Sequence, residues 1–327
     1  MNRLIRYGSV DAIPYYNCSW KSQEEWFETG VRRPWLGYPI LVFGALIELV
    51  YMPILYIIFK TRLIRYACYK IIVLLALVDM SATVCSCLIS GPLFIQGAVF
   101  CSYPTFIYIS GTIVLATWCT SCACTFFLFV NRIVHITLPE YANHIESRMA
   151  YGSIVTCLGY FLYLMLFTPT TCFNSVIMAW LPDPMAERQP SPGADETYRN
   201  TPQALNNWIF VSSMIVFYTI YFLKVKKISR GQKSKASMQI LVQCCIICFF
   251  NTVCALVYNS FSFITPSPWV LLFCQICWCV NHSCPAFIYV TMNETIRKEF
   301  RRLLFGIPKK VEDGTSISNV NATRSRI

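Results

Sequence analysis

Two carboxylates stand where carboxylates are costly. Glu48 and Asp79 each lie inside a long apolar run that contains no Lys or Arg. An ionisable group in hydrocarbon costs a few kcal/mol on insertion scales, so such a residue usually faces the interior of a helix bundle and serves a function. At 1.5 Å of rise per residue, Glu48 is about 18 Å from Lys60 and Asp79 about 13 Å from Lys70, which puts both near the middle of a bilayer. They are expected to approach each other between the first two helices. With no base beside them, each is protonated, hydrated, hydrogen-bonded between helices or matched by a bound cation, because desolvation disfavours the charged form. Asn281, His282 and Ser283 on the last apolar run are the candidates to share that polar centre.

Other residue types that do chemistry are present without the spacing that chemistry needs. The pairs Cys119/Cys122, Cys245/Cys248 and Cys274/Cys277 have the separation of metal ligands, yet they sit in apolar helices with no second ligand set, and no metal is expected. The only histidines are His135, His144 and His282, and two of them fall in one polar loop, which argues against a zinc hydrolase. An intramembrane hydrolase using Glu48 and Asp79 would want a Gly-x-Gly-Asp pattern, which is missing. The chain is not expected to be an enzyme.

The elements that carry these residues follow from composition. The chain has 327 residues, 56% hydrophobic and only 13% charged, with mean hydropathy +0.50. Soluble domains carry about a quarter charged residues. A helix needs about 20 apolar residues to cross the hydrocarbon core, and seven stretches reach roughly that length: 35–59, 71–95, 104–130, 150–171, 206–223, 238–264 and 269–292. Each exceeds strand length, which excludes a transmembrane barrel. The fold class is all-α: a seven-transmembrane helix bundle over 35–292, with a short amphipathic helix after the seventh span. Residues 1–34 lack an apolar run of signal-peptide length, so they read as an extracellular N-terminus, and the first span serves as its own insertion signal.

Net charge of +11 would suit nucleic acid, but its placement points elsewhere. With the N-terminus outside, Lys and Arg on the inside number four in 60–70, two in 132–148, six in 224–235 and eight in the tail, twenty in all against seven outside. That is the positive-inside bias, and it sets the C-terminus in the cytoplasm. The partners are then membrane lipid and whatever docks on the basic face. Nucleic acid is not one of them.

After the seventh span, 293–305 reads as an amphipathic cytoplasmic helix. Asn293 caps it, Ile296, Phe300, Leu303 and Leu304 share one face, and Gly306 and Pro308 end it. Residues 306–327 read as a disordered cytoplasmic tail. On the outside, Asn17-Cys18-Ser19 is a glycosylation sequon, and the long loop 172–205 reads either as a cover for an extracellular pocket or as a mobile loop with no ligand role. Of the externally placed cysteines, Cys101 and Cys172 suit a disulfide tying that loop to the third span; Cys18 is left over, which leaves the pairing open. Trp118, four helical turns before Arg132, is a candidate for the floor of a ligand pocket.

Several motifs now resemble a known group. Leu75-Ala-Leu-Val-Asp79 is similar to the second-span signature of rhodopsin-like G-protein-coupled receptors, Asn131-Arg132 stands where those carry Asp-Arg-Tyr, and Pro285 with Tyr289 resembles their Asn-Pro-x-x-Tyr. The chain departs from them at Asn131, at Cys284 and in the spacing of Tyr289. Tyr16-Asn-Cys-Ser19, Tyr51-Met-Pro53, Cys68-Tyr-Lys70, Asn131-Arg132 and Asn293-Glu-Thr-Ile-Arg297 together resemble the nematode serpentine chemoreceptors of the Srt family, over roughly residues 15–305. The resemblance implies a chemosensory receptor in the plasma membrane, at a sensory cilium, that binds a small-molecule cue outside and activates a heterotrimeric G protein inside. It implies that Glu48, Asp79, Asn131, Arg132, Asn281, Pro285 and Tyr289 form the activation machinery, that Arg132 is a latch, and that a sodium ion binds near Asp79. The rival class is a multi-pass transporter or ligand-gated channel; the first and last three spans show none of the similarity that transporter repeats have.

Overall fold

The computed structural model describes residues 1–137, 139–185, 198–220, 235–260 and 267–306. The expected tail beyond Gly306, the basic loop 224–234 and most of the Pro-rich part of the loop after the fourth span lie outside the described residues. Seven long helices run Pro34–Lys60, Ala67–Gln96, Pro104–Thr137, Pro139–Phe167, Thr201–Ile220, Lys235–Ser260 and Pro268–Met292. Among the described residues, six of them are long and apolar enough to cross a membrane. The fifth, Thr201–Ile220, carries Gln203, Asn206 and Asn207 in its first two turns, which lowers its hydropathy; it packs against the third and sixth. The third span is the most buried and touches the second, fourth, fifth and sixth, so it forms the axis of the bundle. The first span instead turns Val42, Leu46, Leu49 and Met52 outward, an apolar surface that only lipid would cover.

Backbone proximity is set by small residues. A Cβ on Gly44 would lie 2.3 Å from the Cβ of Cys87, so the first two spans meet there at glycine distance. A Cβ on Gly111 would lie 1.7 Å from the carbonyl oxygen of Thr171, which lets the third span pass directly beneath the chain leaving the fourth.

The second span is not a plain helix. Residues Val84–Ile89 form a π-helical segment between Ala67–Thr83 and Ser90–Gln96. Pro92 lacks an N–H and disturbs the ladder on its N-terminal side. Carbonyls in the widened turn find side-chain partners: Ser90 Oγ donates to the Cys85 carbonyl at 2.8 Å, and Gln275 Nε2 donates to the Ser86 carbonyl at 3.1 Å. A span expected as regular helix is therefore stitched to the seventh span.

One end of the bundle is covered by the N-terminal segment and a hairpin; this is the hairpin end, and the end bearing the last helix is the tail end. Strand β1 (Cys172–Asn174) pairs antiparallel with β2 (Ala179–Leu181), with Phe173 opposite Trp180. Phe173 packs edge-on against Phe94 at 4.8 Å and Trp180 at 5.4 Å. The N-terminal segment is built rather than loose. Tyr16 is buried against Phe100, Tyr108 and Tyr198, and burial pushes its phenol well above the usual range. Arg33 donates to the carbonyls of Ser175 at 2.9 Å and Val176 at 3.1 Å, clamping the hairpin turn to the start of the first span.

The disulfide joins Cys101 to Cys18, and Cys172 is a buried free thiol on β1. The expected Cys101–Cys172 bridge is thus corrected. The hairpin needs no covalent tie because Arg33 and the aromatic cluster hold it, while Cys18 is brought over Cys101 by Trp26, whose indole donates to the Cys18 carbonyl at 3.0 Å. Asn17, next to that bridge, is exposed.

At the tail end, Glu294–Phe305 forms the amphipathic helix, capped by the Asn293 side chain, which accepts from the Ile296 N–H at 3.2 Å; Gly306 ends it at φ 62°. Ile296 is buried, whereas Leu304 and Phe305 are exposed apolar residues on a surface rich in Arg and Lys, the pattern of a helix lying in a membrane interface.

Candidate functional site

Asp79 is the centre of a buried network drawn from four spans. Its Oδ1 lies 2.8 Å from Nδ1 of His282 on the seventh span and accepts from the Ser121 hydroxyl of the third at 3.2 Å. On the first span, Tyr51 donates to the backbone carbonyl of His282 at 2.8 Å and stands 3.4 Å from Asp79 Oδ2. Asp79 and His282 are 1% and 0% exposed. One proton joins the pair: a neutral carboxyl donates it to Nδ1 or the ring donates it to a carboxylate, and either bond fixes the ring's orientation. The pairing explains how an acidic residue without any Lys or Arg near it is tolerated at this depth: the imidazole supplies a hydrogen-bond partner.

Glu48 does not join it. With Gly44 against Cys87 and the two helices antiparallel, the first-span residue level with Asp79 falls near position 51, and there Tyr51 reaches in. Glu48 remains partly buried on the same helix, and its Oε1 has no hydrogen-bond partner among the described residues. The expected meeting of the two acids is corrected accordingly.

Nδ1 of His282 at 2.8 Å and the Ser121 hydroxyl at 3.2 Å already contact Asp79 Oδ1, so a sodium ion bound to that oxygen would have to share or displace these contacts. Among the described residues no cluster of three or more His, Cys, Asp and Glu is grouped to hold a metal.

Around this centre, Asn281 Nδ2 donates to Asn251 Oδ1 of the sixth span at 3.3 Å. Pro285, one turn on, leaves the Asn281 carbonyl without its helical donor. Tyr289, a turn closer to the tail end, is fully buried with its hydroxyl unpartnered among the described residues. These three expected residues therefore line one face of the seventh span, running from the Asp79 centre toward the tail end.

At the tail end of the third span, Arg132 is 4% exposed. Its Nε donates to Asn131 Oδ1 at 3.2 Å and its Nη2 donates to the same oxygen. Glu146 Oε2, on the fourth span, is 3.8 Å from Nη2, and Glu146 Oε1 is 2.6 Å from His135 Nδ1. The acid that is absent before Arg132 in the sequence is thus supplied from the next helix. Sequence reasoning missed Glu146 because it lies where a loop is expected, whereas the fourth helix starts at Pro139 and brings Glu146 back beside Arg132. Nearby, Asn293 Nδ2 donates to the Tyr69 hydroxyl at 2.8 Å, tying the amphipathic helix to the second span.

Trp118 sits between the polar centre and the hairpin end. Its indole N–H donates to Asn207 Oδ1 at 2.9 Å, and its ring meets His282 edge-on at 6.2 Å. It lines a cavity of about 30 Å³ with Thr171, Trp180, Gln203, Tyr258 and Trp278. That is room for about one water. The hairpin, through Trp180, closes what would be the way into this space.

A seven-helix bundle with a buried polar centre and a buried arginine at one end invites comparison with receptors. The family model described as serpentine type 7TM GPCR chemoreceptor Srt matches residues 3–314. The chain belongs to the Srt family. It is similar to serpentine receptor class T-55 of Caenorhabditis elegans, with 25% identity over 297 residues that cover 88% of this chain and 80% of that protein. Srt membership makes the chain a multi-pass membrane protein of a chemosensory receptor family and not of an enzyme family.

Proposed function

We propose that the chain is a G-protein-coupled chemosensory receptor: a small-molecule cue bound from outside shifts the helix bundle, and a heterotrimeric G protein is engaged at the tail end. The observation that carries this reading is Arg132, buried at the end of the third span and held by Asn131 and Glu146. A buried guanidinium whose acid partner sits on another helix is a bistable contact: separating the third and fourth helices releases it into the cleft where a partner would dock. Asp79, His282, Asn281, Pro285 and Tyr289 form the transmission line between Trp118 and that latch. Glu48 serves as an independent polar group between the first two spans.

The positive-inside bias supports a topology with the hairpin end outside and the amphipathic helix in the cytoplasm. In that topology Asn17 is accessible for glycosylation, and Cys18–Cys101 lies in an oxidising compartment. The plasma membrane of a sensory cilium is the proposed location. The test is nucleotide exchange on purified heterotrimeric G proteins by the reconstituted chain. Exchange above that of empty membranes supports the reading, and exchange that never exceeds it with any G-protein class contradicts it.

A further inference from the structure

A cavity larger than the one beneath the hairpin lies between the third, fourth and fifth spans. It has a volume of about 590 Å³ and is lined by Cys122, Phe126, Tyr160, Tyr163, Leu205 and Asn206. Its rim residues Leu205 and Tyr163 are 56% and 47% exposed on the side of the bundle, so it opens sideways, where the surroundings are hydrocarbon. The lining runs from Cys122, near the midpoint of the third span, to Thr201 and Pro202 at the start of the fifth, so the cavity extends from mid-bundle toward the hairpin end.

The walls are apolar but the floor is not. The Tyr160 hydroxyl donates to Asn206 Oδ1 at 3.2 Å, Asn206 Nδ2 donates to Asn207 Oδ1 at 3.3 Å, and that oxygen also accepts from Trp118. The chain of contacts continues through the Trp118 ring to His282 and Asp79. The Tyr160 oxygen also meets the Cys119 thiol, and Asn206 the Cys122 thiol, but a thiol is a weak hydrogen-bonding group and leaves capacity for a stronger donor. Polar capacity left open toward hydrocarbon is unfavourable unless something donates to it.

We propose that this cavity is a lateral binding site for an amphiphile taken from the bilayer: an apolar body with one O–H or N–H donor that bonds Tyr160 and Asn206. The volume is that of a small-molecule site. A plain hydrocarbon chain fills the space and leaves these oxygens with weak thiol partners, so the donor is what selects the ligand. The site deepens the receptor reading, on which it rests only for the consequence of occupancy, since it adjoins the contacts that lead to Asp79.

The test uses the full chain in lipid nanodiscs with a photoreactive diazirine analogue of 1-dodecanol, followed by peptide mapping. Labelling is expected within 122–127, 156–163 and 201–210, with 1-dodecanol competing about tenfold better than dodecane, the effect of one hydrogen bond to a desolvated partner. Leu205→Trp at the rim is expected to abolish labelling there. Asn206→Leu is expected to erase the preference for the alcohol, and Tyr160→Phe provides the same readout if the first variant is poorly folded. Even labelling over the lipid-facing helices, or an alcohol preference unchanged by both floor variants, overturns the proposal and leaves only annular lipid. Labelling is read without G protein, so a chain that labels but never couples refutes the receptor reading alone, and one that couples without labelling here refutes this site alone.

Discussion

Glu146→Gln removes a charge while keeping the shape of the side chain beside Arg132. At 3.8 Å, and with an effective dielectric of about 20, the pair's Coulomb attraction is ~4 kcal/mol. Much of that is offset by the desolvation of both groups, and Arg132 keeps Asn131. The net loss to the resting state is therefore about 1.5 kcal/mol, between the value of exposed pairs and that of fully buried ones. In an active state with Arg132 released to a hydrated cleft, the same substitution costs little. The balance moves about tenfold toward the active form. Basal G-protein activation, measured in cells at matched surface level, is expected to rise by about that factor for Glu146→Gln and at least as much for Glu146→Ala. Basal activity equal to or below wild type in both variants would refute the argument that Glu146 holds the latch closed.

Three other outcomes follow from the geometry. His282→Leu removes one hydrogen-bond partner from buried Asp79, which is expected to cost about 1–3 kcal/mol and lower the melting temperature in detergent; adding Asp79→Leu is expected to recover part of that loss. Cys18→Ser and Cys101→Ser each remove the cross-link and lower thermal stability, whereas Cys172→Ser leaves the Cys18–Cys101 peptide intact in non-reducing mass mapping. Gly44→Leu drives a side chain into Cys87 and is expected to reduce the folded yield sharply, seen by fluorescence size-exclusion, with Cys87→Ala giving no rescue because backbone separation is what changes.

What the sequence disclosed and what it hid divide along physical lines. The apolar runs are legible because bilayer thickness dictates helix length, and the importance of Asp79 is legible because a carboxylate at that depth needs a reason. His282 was within reach for the same reason, as the nearest group able to share a proton with it. Glu146 was hidden because it sits in a polar stretch that reads as a loop, and only the extension of the fourth helix back to Pro139 turns it toward Arg132. The π-helical segment was hidden because Val84–Ile89 is ordinary apolar sequence; its stabilising donor, Gln275, comes from another span. The disulfide partner of Cys101 was hidden because three cysteines on one side of a membrane do not state which two meet, and the N-terminal segment that decides it holds only the short helices Asn2–Tyr7 and Gln23–Thr29, too brief for a period to reveal their packing.

The most direct measurement screens small-molecule cues for G-protein activation in cells expressing the wild-type chain and Arg132→Ala at matched surface level. The account predicts a cue response in wild type that is lost in Arg132→Ala. A cue-gated current that persists when G proteins are blocked would contradict it and make the chain a channel.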